Sequence, residues 1–320
     1  MTAPPPASRY TRPKPPVHRI EAHAARRDPH DPGVKFAVVA HRRSATNEAL
    51  VAAARDRGLD SELLDPHRAL TSLEPGDVAL ARLDVRAELD GIERGTGELE
   101  RLAAGGVDVR NPPGALVVAH DKLLTARTLR LAGLPHPHTT LLNPALPAAV
   151  PELPLVLKPR FGSWGRDVEL CASTEELDAA LVRLQRKAWY REHGALAQEL
   201  VRPRGWDLRL VVAGGEVVGS ACRIARSGEW RTNAALGAYV EPVEPPPIAR
   251  ALALAAARAS RADLVGVDLL PTGSGFVVLE LNGAVDFRPL YAPGRDVFAD
   301  AVAALLGDAA RQPALAAASV

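Results

Sequence analysis

Apolar positions recur along this chain with two periods. Short runs that are apolar throughout, or at every second residue, alternate with stretches apolar at every third or fourth residue, the patterns of strands and amphipathic helices. Residues 34–40 read as a buried strand, and Thr46 as the cap of a helix that runs to Arg57 and stops at Gly58. Strands fit residues 61–64, 77–81 and 107–109, with a helix at 99–104. Strands that alternate with helices imply a small, parallel, doubly wound sheet.

The pattern changes after Asn111-Pro112-Pro113. Residues 121–131 fit a helix ended by Gly133, and the proline-rich stretch 135–154 reads as an irregular linker. Strands at 155–158 and 168–171 follow, then Ser173 with Glu176 as a capping box, a long helix near 177–192 and a strand at 195–200. A hairpin of strands 208–213 and 217–223 turns on Gly214-Gly215. A helix at 247–259, a second hairpin at 265–282 and a last helix at 297–306 complete the series. The division expected is a Pro/Arg-rich disordered arm at 1–32, an N-terminal α/β domain at 33–112, a larger α/β domain at 113–308 and a frayed tail at 309–320.

The second hairpin carries the densest chemistry. Asp268 and Glu280 lie equally far from Ser274, so antiparallel pairing about that turn sets them opposite each other. Asn282, two residues on, points the same way. Val267, Leu269, Val277, Leu279 and Leu281 then fall on the apolar reverse face. One Asp, one Glu and one Asn make an oxygen-only set of the kind hard cations such as Mg²⁺ take.

Composition narrows the function classes. With 47% hydrophobic residues and a net charge of +1, the chain reads as a soluble globular protein without the basic excess of a nucleic-acid binder. Two cysteines suit a reducing cytoplasm, no apolar run approaches a membrane span, and the arm lacks the apolar core of a signal peptide. The chain has 34 arginines and five lysines, so a retained lysine draws interest as a compact ammonium. Lys158 ends a strand just before the loop Gly162-Ser163-Trp164-Gly165-Arg166, and Lys122 opens a helix. Glycines let backbone N–H groups turn toward an anion, and a nearby lysine adds charge. No G-K-[ST] precedes a helix and no G-x-G-x-x-G is present, which sets aside a Walker loop and a dinucleotide fold. His136 and His138 flank a proline without acidic or cysteine partners nearby, and read as loop residues.

In order, these features resemble the ATP-grasp ligases of the RimK and LysX group. The resemblance runs from about Asn111 to Leu306, and more loosely back to Val34. It rests on Asp121-Lys122, Gly-Leu-Pro-x-Pro-x-Thr at 133–139, Val-Leu-Lys-Pro at 156–159, the loop 162–166, Gln198-Glu199, Asp207-x-Arg209, Gly228-x-Trp-Arg-x-Asn233, Asp268 and Glu280-x-Asn282. It implies an ATP-grasp fold with a small pre-ATP-grasp domain in front and a lid at about 145–200. It also implies roles. Lys122, Lys158, Gly162, Ser163, Trp164, Gly165, Glu199, Leu200, Asp207 and Asn233 would hold ATP. Asp268, Glu280 and Asn282 would hold Mg²⁺, with Mn²⁺ as a substitute, and Arg223 and Arg231 would serve the transferred phosphate and the acyl intermediate. The implied activity is carboxylate–amine ligation through an acyl phosphate, adding a glutamate-like amino acid to a peptide, carrier protein or cofactor. The alternatives are another acyl-phosphate product, such as a thioester or phosphorylated acid, and a nucleotide-binding regulator without turnover. A homo-oligomer is compatible with this reading. The chain departs from the family where substrates would lie: Ala234-Ala235 replaces a Gly-Gly pair, and Gly283-Ala284-Val285-Asp286-Phe287 replaces a Ser-Pro-Gly ending.

Overall fold

The computed structural model describes residues 33–143 and 150–307, so the expected arm and tail lie outside the described residues. Strands β1 (Lys35–Val39), β2 (Asp60–Leu64), β3 (Val78–Ala81) and β4 (Asp108–Arg110) form a sheet of order β2-β1-β3-β4, parallel throughout. Helices α1 (Ala45–Asp56), α2 (Pro66–Ser72) and α3 (Thr96–Ala104) connect them. Helices α4 (Pro113–His120) and α5 (Lys122–Leu131) lead to an antiparallel sheet of order β5-β8-β6-β7. Its strands are β5 (Thr139–Leu142), β6 (Leu155–Pro159), β7 (Glu169–Cys171) and β8 (Ala195–Glu199), with α6 (Thr174–Leu184) and α7 (Ala188–His193) between the last two. The third sheet, order β11-β10-β9-β12-β13, is also antiparallel. It contains β9 (Trp206–Ala213), β10 (Glu216–Ile224), β11 (Tyr239–Pro242), β12 (Leu264–Pro271) and β13 (Phe276–Asn282), flanked by α8 (Pro247–Ser260) and α9 (Val297–Leu306).

Several sequence expectations need correction. Ser44, not Thr46, caps α1: its Oγ accepts from Asn47 N–H, while Thr46 is buried and donates to the Phe287 carbonyl at 3.3 Å. The stretch read as a linker contains β5, and the long helix expected at 177–192 is two, interrupted at Gln185–Lys187. Helices α2 and α4 and strand β11 were not expected. In the second hairpin, Asp268 does pair with Glu280, but through a bulge. Nearer the turn the register runs Leu269 to Val278 and Leu270 to Val277, so the strand gains one residue at Leu279. The extra residue changes which side chains face the core. Val278 is buried, whereas Val277 and Leu279, expected in the core, are only half-buried.

The five-stranded sheet is packed on both faces. Leu208, Leu210 and Val212 of β9, with Val265 and Val267 of β12, pack beneath α8. Val211, Leu264 and Val218 on the opposite face share one core with Phe36 and Val38 of the N-terminal sheet, with Leu50 of α1 and with α9. Gly266 lies on this face, where a Cβ would meet Val285 at 2.5 Å. The absence of a side chain lets the 283–288 segment lie against the sheet.

Asn111 joins the N-terminal sheet to the rest. It is 1% exposed, sits at φ +57°, and its Oδ1 accepts from the N–H groups of Asp263 and Leu264 at 2.8 and 2.9 Å. Its Nδ2 donates to the Leu264 carbonyl at 2.8 Å. An amide side chain serves here as a piece of strand, and Asn tolerates the left-handed backbone. Asn111→Ala leaves two N–H groups and a carbonyl unpaired, and is expected to lower stability by about 3 kcal/mol. Urea unfolding checks this; a loss below about 1 kcal/mol contradicts it.

His120 ends α4 and is 5% exposed, with its Nε2 unpartnered among the described residues. Burial holds its pKa down at about 4, with Asp84 opposing and Lys122 reinforcing. A folded-state value below the ordinary 6.5 means the unfolded chain binds the proton more readily. Stability is therefore full above about pH 6.5 and falls as the pH drops toward 4, at roughly 1.4 kcal/mol per pH unit for one such group. His120→Leu should flatten part of that fall in urea titrations at pH 7, 5.5 and 4.5. An unchanged slope would contradict the assignment.

Candidate active site

Four neighbouring strands of the five-stranded sheet place charges in a row on one face. The register sets Arg223 on β10 opposite Asp207 on β9, Arg209 on β9 opposite Asp268 on β12, and Asp268 opposite Glu280 on β13. Arg223 donates through Nε to Asp207 at 2.7 Å, and its Nη2 lies 3.0 Å from Asp268. Arg209 holds Asp268 with two hydrogen bonds of 2.7 Å each. Thr232 Oγ1 donates to Asp207, and Asn282 Nδ2 lies 3.4 Å from Asp268. Asp207, Arg223 and Asp268 are almost wholly buried. Burial alone would raise the Asp268 pKa, but Arg209 and Arg223 hold it well below the usual carboxylate range.

The β5–β8 sheet supplies the facing wall. Lys158 at the end of β6 is 4% exposed, and its Nζ lies 3.3 Å from Glu280 Oε1. Lys122 Nζ donates to the Gly162 carbonyl at 2.5 Å and lies 3.9 Å from the other Glu280 oxygen. Burial lowers the Lys158 pKa, with Glu280 opposing. Burial also works against ionised Glu280, yet the two ammonium groups bring its pKa below the ordinary value. Among the described residues, Lys122, Lys158, Arg209 and Arg223 pair only with Asp207, Asp268 and Glu280, so this cluster carries a surplus positive charge.

The loop after β6 closes one end of the cleft. Arg160 grips Asp121, the cap of α5, through Nε at 2.8 and 2.9 Å, and Lys122 N–H donates to the Arg160 carbonyl. Gly165 has φ +68°, and a Cβ there would meet Asn233 Oδ1 at 2.9 Å. Arg231 Nη1 donates to the Gly165 carbonyl at 3.1 Å, while its other nitrogens bind Glu229.

The cleft between these walls is lined by every residue expected to serve a nucleotide or the chemistry, except Trp164 and Asn282. Those two line a second chamber of about 340 Å³ that shares Ser163, Arg223, Asn233 and Glu280 with the cleft. Ala234, Ala235 and residues 284–287, where the sequence departs from the family pattern, also line this second chamber.

Sequence reasoning missed Arg209 and three apolar residues of the cleft. Arg209 was quoted only as part of a motif, because its partner Asp268 lies 59 residues away. Val156, Leu270 and Leu279 give the cleft an apolar side suited to a planar ring, and Leu279 reaches it only through the bulge. His136 is a structural residue near the cleft: its Nδ1 lies 2.7 Å from the Val278 carbonyl, and burial lowers its pKa to about 4.

A family model described as a RimK-like ATP-grasp domain matches residues 119–300. A probable alpha-L-glutamate ligase of Thioalkalivibrio sulfidiphilus is 31% identical over 255 residues, covering 73% of this chain and 82% of that protein. The tetrahydromethanopterin:alpha-L-glutamate ligase of Methanosarcina acetivorans is 29% identical, covering 77% and 90%. The glutamate–LysW ligase ArgX of Sulfurisphaera tokodaii is 30% identical, covering 58% and 68%. Among solved structures, a RimK-domain ATP-grasp protein of Sphaerobacter thermophilus is 25% identical with a TM-score of 0.61, covering 86% of this chain and all of that one. D-cycloserine synthetase DcsG superposes with a TM-score of 0.65 at 21% identity, covering 85% and 99%, a likeness of fold. With the family model spanning more than half of its residues, the chain belongs to the RimK-like ATP-grasp ligases.

Proposed function

We propose that this protein is an ATP-dependent carboxylate–amine ligase that joins a glutamate-like amino acid to a carboxylate of a peptide, carrier protein or cofactor. The observation that carries the reading is the pair of chambers meeting at Arg223, Asn233 and Glu280. One chamber offers a cationic end and an apolar side, as a nucleotide requires. The other opens where a second substrate can reach the transferred phosphate. Glutamate as the amine is supported by relatives named for its ligation to LysW and to tetrahydromethanopterin.

The reaction then has two steps. A carboxylate oxygen of the acceptor attacks the γ-phosphorus of ATP, the bond to the bridging oxygen breaks, and ADP leaves. The amine nitrogen next attacks the acyl carbon, loses a proton, and phosphate departs with the electrons of the C–O bond. Lys122 and Lys158 bring compact positive charge to the phosphates. Nε and Nη2 of Arg223 are engaged by Asp207 and Asp268, which fixes the guanidinium plane beside the two chambers that Arg223 lines. A donor held this way is already oriented when charge develops on the acyl oxygen. Arg231, braced by Glu229, ties the glycine loop down over the cleft and keeps water out.

Asp268, Glu280 and Asn282 carry oxygen ligands on one face of the hairpin beside the lysines and would hold a divalent cation there, with Asp268 giving up contacts it makes here to Arg209 and Arg223. When bound there, Mg²⁺ or Mn²⁺ supplies charge neutralisation at the phosphates.

The wild-type protein should release ADP from ATP in a manner dependent on added L-glutamate, with cell extract as the source of acceptor. Glu280→Gln keeps shape but removes a charge, and should lower turnover about 10²–10³-fold and raise the Mg²⁺ required, with little effect on stability. A coupled ADP assay over a Mg²⁺ series reads both. Near-wild-type turnover at every Mg²⁺ concentration would end this reading of the hairpin.

A further inference from the structure

The wall made by β5–β8 is joined to the N-terminal sheet by a short loop at residues 84–93. Val85 bridges Ile92, Arg86 N–H donates to the Gly91 carbonyl, and Asp84 N–H donates to Glu93. Arg86 Nη2 donates to the Asp90 carbonyl at 2.7 Å, and Nε lies 3.1 Å from the Asp90 carboxylate. The loop is thus braced by its own atoms.

Its tip, Leu89, leaves the N-terminal unit altogether. Leu89 is 2% exposed and packs in the apolar cluster of the facing wall, with Leu142, Leu155, Leu157 and Trp189. Among the described residues, every other buried member of that cluster lies between 142 and 197. Leu89 also sits at φ +62°, a left-handed backbone that leucine adopts at a cost. Burial in a neighbouring unit's core offsets that strain.

Three further contacts follow the same seam. Arg166 Nη2 donates to the Ala87 carbonyl at 2.7 Å, the His193 ring lies 2.8 Å from the Asp90 carbonyl, and the Arg42 guanidinium sits 5.5 Å from the Trp164 ring. Leu89 and His193 line neither chamber, so nucleotide chemistry does not explain them.

We propose that residues 84–93 are a strap that sets the closed position of the β5–β8 wall over the nucleotide, with Leu89 as its positioning residue. The proposal rests on the reading of the cleft as a nucleotide site. A nucleotide held between two sheets escapes only when they part. Parting them withdraws Leu89 from the wall's core or drags the strap along, so the docking of the strap slows release.

The test is the dissociation rate of a fluorescent N-methylanthraniloyl-ADP with Mg²⁺, measured by stopped-flow displacement with excess ATP. Leu89→Asn keeps a similar shape and tolerates the left-handed backbone but places an amide in the apolar cluster. It should raise the rate tenfold or more. Leu89→Met, which restores apolar contact, should stay within threefold of the wild type. His193→Ala removes the contact to the Asp90 carbonyl and an edge-on ring contact to Phe161; it should raise the rate about threefold, with His193→Phe, which keeps the ring, raising it as much, and it serves if Leu89→Asn does not fold. A rate within twofold of the wild type in folded Leu89→Asn, or in His193→Ala where that variant stands in, overturns the strap alone. Wild-type protein that does not bind the probe overturns the nucleotide reading and the strap with it.

Discussion

The site depends on burying charge in pairs. Asp207, Arg223 and Asp268 are nearly inaccessible, and a buried charge stripped of its partner costs several kcal/mol. The pairs link β10 to β9 and β9 to β12, and Arg223 also reaches Asp268 across β9, so the charges fix the order and register of these three strands together. A slip of one residue anywhere in that row would turn a paired guanidinium or carboxylate toward the apolar side beneath α8. The same network leaves Glu280 to the two lysines, so the positive surplus lies where the facing wall meets the sheet.

Much of this was legible in the sequence because it rests on short-range pattern. Alternation in the β13 segment identified Glu280 and Asn282 as sharing a face, and the turn residues identified the hairpin. The pairing of Asp268 with Glu280 was read correctly from a symmetric turn, yet the molecule reaches it differently. The register near the turn is centred between Gly273 and Ser274, which without the bulge would set Asp268 against Leu279. The inserted residue restores the carboxylate pair and sends Leu279 to the cleft. A bulge has no periodic signature, so the expected core positions at Val277 and Leu279 were misplaced while the pairing of Asp268 with Glu280 was not.

Other misses have equally local causes. Ser44 and Thr46 are both capping types two residues apart, and the choice is made by a distant carbonyl, that of Phe287, which occupies Thr46. Helix α2 carries a readable signal in Asp65-Pro66, where the Asp65 carboxylate accepts two N–H groups, but its seven residues are too few for periodicity to show. Helix α4 begins at the prolines that were read as a break, where proline suits the first turn. Arg209 and Leu89 act through partners far away in sequence, and no window along the chain contains both ends of either contact.

The core that runs from Phe36 and Val38 through Val211 and Leu264 to α9 has a consequence for how such a protein can be recombined. The segment that resembles an ATP-grasp module begins near residue 119, but one face of its principal sheet is finished by side chains from residues 34–80. Grafted into a chimaera without them, that segment would present Val211, Val218, Leu264 and α9 as a broad greasy face and invite self-association. The unit of inheritance here is the pair of sheets, and exchange between relatives should succeed at loops within a sheet's rim more readily than at the apparent boundary between the two.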